Sequence, residues 1–522
     1  MSSDLLIYAL TASTALYLIA LLRAISDQKL RAIPTVGGSS LPILYHYSIV
    51  RNISRIASIS REGYNKYRGR LFKYAEPAGW RIIVTNPQHI EEIARASDDV
   101  LSLAESVNDM TQIVYTMGPE IHHHQWHNAL IRGQLTRNIN RFFPEMHDEL
   151  VTAVSEEICV EDSSWKEVGV KDSFIKVVCR TSNRVFVGLP MCRNADYCDL
   201  NERFTMDVVK GALVLKLFPA LLRPLIARFC TNVPTNIDEG IVHLGPAILE
   251  RLGKHGELGD KWTDRPNDML QWLIDNAPPH ERSVRPLVLR ILSVNFAAVH
   301  TTTTASQNRP ISSPLADCSV WVRSWTLALQ ILTQIMYHLA AYVDPLRAEV
   351  EAVIQEEGWT KSAIDKMYKI DSFVREVLRM STSSSSVNRK ALKDFVLSDG
   401  TVIPAGSNVG AGSYLRHFDD AIYEDASVFN PWRFCLKRSE DQSGTKGLIV
   451  NLGPDFLPFG HGKHGCPGRF FAAVEMKAIL AHVVVTYDVK MKEDGALPSS
   501  RWIFTALIPD QKAKVLFRRR QS

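Results

Sequence analysis

The densest chemistry in this chain lies in Phe459-Gly460-His461-Gly462-Lys463-His464-Gly465-Cys466-Pro467-Gly468-Arg469, where glycines and a proline crowd around one cysteine. Such a run suits neither a regular strand nor a helix interior. It predicts a tight loop whose backbone amides converge on one atom. The following residues, Phe470 to Lys477, form a good helix, and Pro467 suits its first position. Cys466 is therefore expected at a helix N-terminus, where free N–H groups and the helix dipole stabilise a thiolate. A buried structural cysteine would have no use for so many special positions.

Other candidates are spread along the chain. Glu376 and Arg379 stand three apart, on one face of an expected helix. Alone, such a pair is usually a solvated ion pair. Arg433 follows in Phe429-Asn430-Pro431-Trp432-Arg433-Phe434. Ala297, Ala298, Val299, His300 and Thr301 end a long apolar helical pattern. A threonine hydroxyl there can hold a water and relay protons, and a histidine can shuttle them near neutral pH. A packed run of β-branched residues is the plainer reading of Thr301. His123 and His127 are spaced i, i+4, as zinc ligands can be, but no HExxH glutamate or third ligand accompanies them.

The cysteine loop matches the signature FxxGxxxCxG of the cytochrome P450 family, with Phe459, Gly462, Cys466 and Gly468 on its fixed positions. The order and spacing of the Glu376–Arg379 and Arg433 motifs strengthen the resemblance, which covers about residue 30 to the C-terminus. It resembles fungal secondary-metabolism members, in which a histidine such as His464 can replace the usual arginine. The resemblance implies a mainly helical fold with small β-sheets, haem b (iron protoporphyrin IX), and the Cys466 sulfur on the haem iron. It implies that Glu376, Arg379 and Arg433 form a buried structural network behind the loop. It puts Thr301 at the proton-relay position beside the oxygen site, with His300 where an acid is usual. Trp126 falls on a donor position for the haem propionates, and Arg389 resembles another propionate-binding arginine. The family's arginine four residues after Trp126 is Leu130 here, so Arg132 or Arg137 is expected to substitute. Phe459 and His464 complete the expected cofactor contacts.

The implied reaction is monooxygenation of a bulky apolar, terpenoid-type substrate with dioxygen. No GxGxxG opens a strand–helix unit, so electrons are expected from a separate NADPH-cytochrome P450 reductase. Its docking is expected on a basic face near Lys463, Arg469 and Lys477. Two other readings stay open: a haem-binding but catalytically impaired relic, and an isomerase or dehydratase of the same fold.

The elements that must position these residues can also be read. The strand signals are Arg81–Thr85, short pieces near Val396, Val402–Pro404 and Val409, and a hairpin-like pattern over Trp502–Phe517; much of 120–380 reads as helix. Leu101–Tyr115 and Phe504–Leu507 are candidate pocket linings. Residues 31–522 read as one catalytic domain. Leu5–Leu22 carries no charge and is followed by Arg23, Lys29 and Arg31. That pattern predicts that 1–30 is a single-pass anchor in the endoplasmic reticulum membrane, with the rest cytosolic. Residues 307–330, with Pro310 and Pro314, interrupt the helical pattern. They read either as a tolerated surface loop or as translated intron.

Composition closes off other classes. The net charge is only +4, from 60 basic against 56 acidic residues, which gives no support for nucleic-acid binding. Eight cysteines without CxxC suggest reduced thiols in a cytosol-facing compartment.

Overall fold

The computed structural model describes residues 28–40, 42–52, 54–76, 79–160, 163–216, 218–298, 327–435, 447–492, 500–503, 505–508, 510 and 514–521. Helices dominate, and four small sheets sit at the margins. The largest sheet joins β1 (Phe72–Glu76), β2 (Gly79–Val84), β3 (Leu101–Ser102), β4 (Ser386–Ala391) and β5 (Asn408–Ala411). Its order is β1-β2-β5-β4-β3, with β2 and β5 parallel and the other pairs antiparallel. The expected strand at Arg81–Thr85 is the buried half of β2, whose Arg81–Val84 run is inaccessible on both faces. Phe395–Val396 pairs with Val402–Ile403, and Arg501–Ile503 with Ala506–Ile508, as the sequence pattern predicts. Lys514–Arg519 does not extend that hairpin. It pairs instead with Lys166–Gly169 and Tyr487–Met491.

The helices that build the site are α1 (Pro87–Arg95), α2 (Leu103–Thr111), α3 (Ile139–Ile158), α4 (Val170–Phe186), α5 (Val284–Ala298), α6 (Leu327–Glu357), α7 (Tyr368–Met380) and α8 (Arg469–Thr486). α1 and α2 begin on side-chain caps, with Asn86 accepting from the Gln88 amide and Ser102 from that of Glu105. α8 is apolar nearly all round, and accordingly it runs through the core against α3, α6 and α7. α7 differs: every residue from Ile370 to Arg379 is buried, and four of them are charged.

Among the described residues no helix is long and apolar enough to cross a membrane. The expected anchor at Leu5–Leu22 lies outside the described residues, as does most of 307–330. The serine-rich run Ser381–Ser386, directly after α7, is largely buried. Ser381, Thr382, Ser384 and Ser385 are buried, and the Ser384 amide donates to the Thr505 carbonyl at 2.7 Å. Small hydroxylated side chains let two backbone segments approach here, although the buried Thr382 hydroxyl finds no partner.

Candidate functional site

The cysteine loop is built by local backbone bonds. The Cys466 amide donates to the Phe459 carbonyl at 2.7 Å, and the Gly465 amide to the Gly462 carbonyl at 3.0 Å. Gly462 has φ +68°, and a Cβ there would lie 2.9 Å from the Ala94 Cβ and 3.0 Å from its carbonyl oxygen. The loop thus needs glycine both for its backbone angle and for its approach to the end of α1. A Cβ on Gly465 would lie 2.2 Å from Leu452 Cδ1. α8 starts at Arg469, slightly later than Pro467 suggests. Burial pushes the Cys466 thiol up, while the amides of Gly468 and Arg469 and the Arg469 guanidinium pull it down. Arg469 also donates to the Cys466 and Val450 carbonyls, at 3.0 and 3.1 Å.

Behind the loop the three expected structural side chains meet. Arg379 grips Glu376 through two bonds of 2.7 and 2.8 Å, and both are fully buried. Arg433 Nε adds bonds of 3.1 and 3.2 Å to the same carboxylate. A buried carboxylate satisfied by two guanidinium groups is a rigid joint, because removing one partner strands the others in low dielectric.

Two members of this region escaped the sequence reading. His417 Nδ1 lies 2.9 Å from the Arg379 carbonyl, and its Nε2 accepts the Leu457 amide at 3.0 Å. Burial and the nearby arginines hold this imidazole down at about 3, so it stays neutral, with its proton on Nδ1. It thereby ties α7 to the segment that leads into the cysteine loop. Arg375 lies between the rings of Phe434 and Phe456, its Cζ 4.5 and 4.1 Å from their centroids, and donates to the Leu448 carbonyl. The only signal in the sequence was a further charged residue in the helix that carries Glu376 and Arg379.

Cys466 lies in the wall of a cavity of about 710 Å³, with Gly465, Pro467 and Gly468 beside it. Ala297 and Ala298, at the described end of α5, also line it, as do Phe459, His464 and Arg132. Of the expected pocket residues, Ser102, Leu103, Ala104, Val107 and Ile113 line this cavity; none of the described residues of 504–507 does. Val107, Ile113, Met117, Ile121 and Val294 make much of its wall apolar. His300 and Thr301 lie outside the described residues.

The expected propionate contacts divide. Arg389 is buried, with Nε and Nη2 unpartnered and only Nη1 bonded, to the Asn388 carbonyl at 2.8 Å. Burial holds its guanidinium down at about 10, and Asp98 opposes that shift. His464 Nε2 lies 2.6 Å from Asp98 Oδ1. Arg132 sits in a π-helical turn, Ile131–Leu135, and reaches the Lys463 carbonyl at 3.4 Å. Trp126 is engaged elsewhere. Its Nε1 donates to Glu281 Oε2 at 3.2 Å, and the same carboxylate is held by Arg290 at 2.7 and 2.8 Å. Leu130 packs into the core, and Arg137 belongs to a second cavity, on the other side of α8. Lys477 is a correction to the expected docking face. It is buried against Asp371 at 3.2 Å, because the helical period of α8 turns it inward. His127 Nδ1 lies 3.0 Å from Arg290 Nη1.

A flat dianionic macrocycle with a Lewis-acidic metal fits this set. The wall offers one thiol and the small residues Ala297 and Ala298, and behind it, beside the lining residues Asp98 and His464, stands a buried arginine, Arg389, with orphaned donors for a carboxylate. Fold and site together define a haem-thiolate class of protein. The comparisons agree: the cytochrome P450 family model matches residues 324–517. Cytochrome P450 monooxygenase 71 of Postia placenta is 38% identical over 503 residues, covering 95% of each chain. Cytochrome P450 monooxygenase CYP512U6 of Ganoderma lucidum is 34% identical over 496 residues, covering 94% of this chain and 92% of its own. Cytochrome P450 monooxygenase paxQ of Penicillium paxilli is 29% identical over 484 residues, covering 90% and 88%. The chain belongs to the cytochrome P450 family, as a monooxygenase that binds haem b.

Proposed function

We propose that this enzyme oxidises C–H bonds of a bulky apolar substrate, a terpenoid-type intermediate of fungal secondary metabolism, with electrons from an NADPH-dependent reductase. The observation that carries this reading is the placement of Cys466 in the wall of a large, mostly apolar cavity. Bound there, haem supplies the activation of dioxygen. The chain's own residues do the rest. Cys466 would provide the sulfur that holds the haem iron, and the Gly468 and Arg469 amides favour its thiolate against the burial that pushes the thiol up. Arg389, His464 and Arg132 hold the propionates, and Phe459 packs beside the cysteine. The Glu376–Arg379–Arg433 joint keeps the loop from shifting. The apolar wall excludes water and selects substrates by bulk. The Thr301 hydroxyl, with His300, moves protons to bound dioxygen. The enzyme works at the endoplasmic reticulum membrane, held by residues 1–30, with 31–522 as the catalytic domain.

The test is reconstitution of the holoprotein with a fungal reductase and NADPH against a panel of terpenoid hydrocarbons and alcohols. Substrate-dependent NADPH consumption and an oxygenated product are expected. A thiolate-type carbon monoxide spectrum without turnover on any member would favour the impaired relic. Product formation without NADPH would favour the isomerase or dehydratase.

A further inference from the structure

One histidine that lines the haem cavity holds a carboxylate contact that the family pattern does not assign. His122, in the short helix Pro119–His123, is buried and lines the cavity. Its Nε2 is 2.9 Å from Glu105 Oε1, on α2. An ionised carboxylate only accepts hydrogen bonds, so the Nε2 proton points to Glu105. The other ring nitrogen, Nδ1, is buried and has no partner. The neighbouring charged or titratable groups are Glu105, on α2, and His123, whose ring stands edge-on at 4.7 Å.

A buried ring nitrogen without a partner costs free energy unless something binds it. Meanwhile the two donors the family pattern offers on this stretch are both gone: Leu130 is packed in the core, and Trp126 is held by Glu281. We infer that the Glu105–His122 pair is a further anchor for a haem propionate beside Arg389, His464 and Arg132, with the ring donating to Glu105 through Nε2 and to the propionate through Nδ1. The same cavity holds a second histidine–carboxylate contact, His464 Nε2 at 2.6 Å from Asp98 Oδ1. This rests on the haem-binding reading of the cavity.

The test uses the geometry of amide side chains. His122→Gln keeps a donor near Nε2 for Glu105 but removes the Nδ1 donor. His122→Asn does the opposite. The holoproteins are compared by the rate of haem transfer to apomyoglobin, with circular dichroism checking the fold. We expect His122→Gln to lose haem about tenfold or more faster than the parent, the scale of one charged hydrogen bond, and His122→Asn to recover part of that loss. If the ring only braces α2, the order reverses, since glutamine preserves the Glu105 bond. Wild-type retention in His122→Gln, or loss in His122→Asn as fast as in His122→Gln, overturns the proposal. Should either variant misfold, Glu105→Gln, which leaves the ring in place, is expected to speed transfer in the same assay, and an unchanged rate overturns the proposal as well. A parent protein without a thiolate-type spectrum would instead overturn the reading of the cavity itself.

Discussion

The two walls of the haem cavity are held by different physics. On the cysteine side, one loop of eleven residues supplies the proposed ligand, the amides beside it and its turns, and a buried carboxylate locked by two arginines backs it. Around the lining residues His122 and His127, the polar contacts join separate elements: Trp126 with Glu281 across 155 residues, Arg290 with His127 across 163, and His122 with Glu105 across 17. The first wall tolerates little change, because its chemistry is concentrated in a few atoms. The second can exchange one donor for another, because propionate binding asks only for positive charge and hydrogen-bond donors at the right depth. The departures from the family pattern fall on the expected propionate contacts, His464 within the cysteine loop among them. Cys466, Gly462, Gly468 and Phe459 are kept, while Leu130 and Trp126 have lost the roles that the pattern gives them.

That contrast breaks first at Cys466. Cys466→Ala is expected to abolish NADPH-dependent turnover and the thiolate-type carbon monoxide spectrum; an unchanged spectrum would remove the cysteine wall from the mechanism altogether. The next largest effect is expected at Glu376→Ala, which strands Arg379 and Arg433 as buried cations. Breaking one partner of such a network costs about 3–5 kcal/mol. Denaturant unfolding of the holoprotein measures it, and a loss below about 1 kcal/mol would mean that the joint is replaceable.

Glu475 sharpens the comparison through pH. It lies on α8 in the cavity wall, where it accepts from Ser182 Oγ at 2.8 Å, and burial raises its carboxyl to about 8. Folded protein therefore holds this proton across a range in which the unfolded chain, titrating near its ordinary value, has released it. Stability falls as pH rises between those two values, the native state binding more protons there. Glu475→Gln is expected to flatten the stability profile between about pH 4.5 and 8 and to stabilise the protein most at the upper end. Urea unfolding at several pH values checks this, and parallel profiles for parent and variant would show that Glu475 is ionised in the fold. Smaller still is Gly462→Ala, where the left-handed backbone and the contact with Ala94 predict a loss of about 1–3 kcal/mol. A neutral alanine would show that the loop has room to relax.

The sequence made the cysteine wall legible because its signal is local: residue types and spacing within one loop state both the turn and its purpose. The Glu376–Arg379–Arg433 joint was legible only through its resemblance, since nothing in the spacing alone separates a buried pair from a solvated one. Arg375 and His417 stayed invisible, because their partners, Leu448 and Leu457, lie 73 and 40 residues away. Lys477 was misplaced because a lysine reads as surface until the period of a wholly buried helix turns it toward Asp371. The small sheets were largely found by alternation, but the pairing of Lys514–Arg519 with Lys166–Gly169 depends on segments no local pattern can join.

The smallest expected effect tests the second wall most directly. Trp126 is offered by the family pattern as a propionate donor, yet its indole N–H is spent on Glu281, beneath the Arg290 guanidinium, whose Cζ lies 5.1 Å from the ring centroid. Trp126→Phe keeps an aromatic face for that cation and deletes one hydrogen bond. Glu281 retains both bonds from Arg290, so no buried carboxylate is stranded. The expected cost is about 0.5–1.5 kcal/mol of stability, with haem transfer to apomyoglobin unchanged. If haem left this variant as fast as it is expected to leave His122→Gln, the indole would be a propionate donor in the holoprotein, and Glu281 its partner only without haem. The second wall would then follow the family pattern at Trp126, and its departure from that pattern would reduce to the single substitution at Leu130.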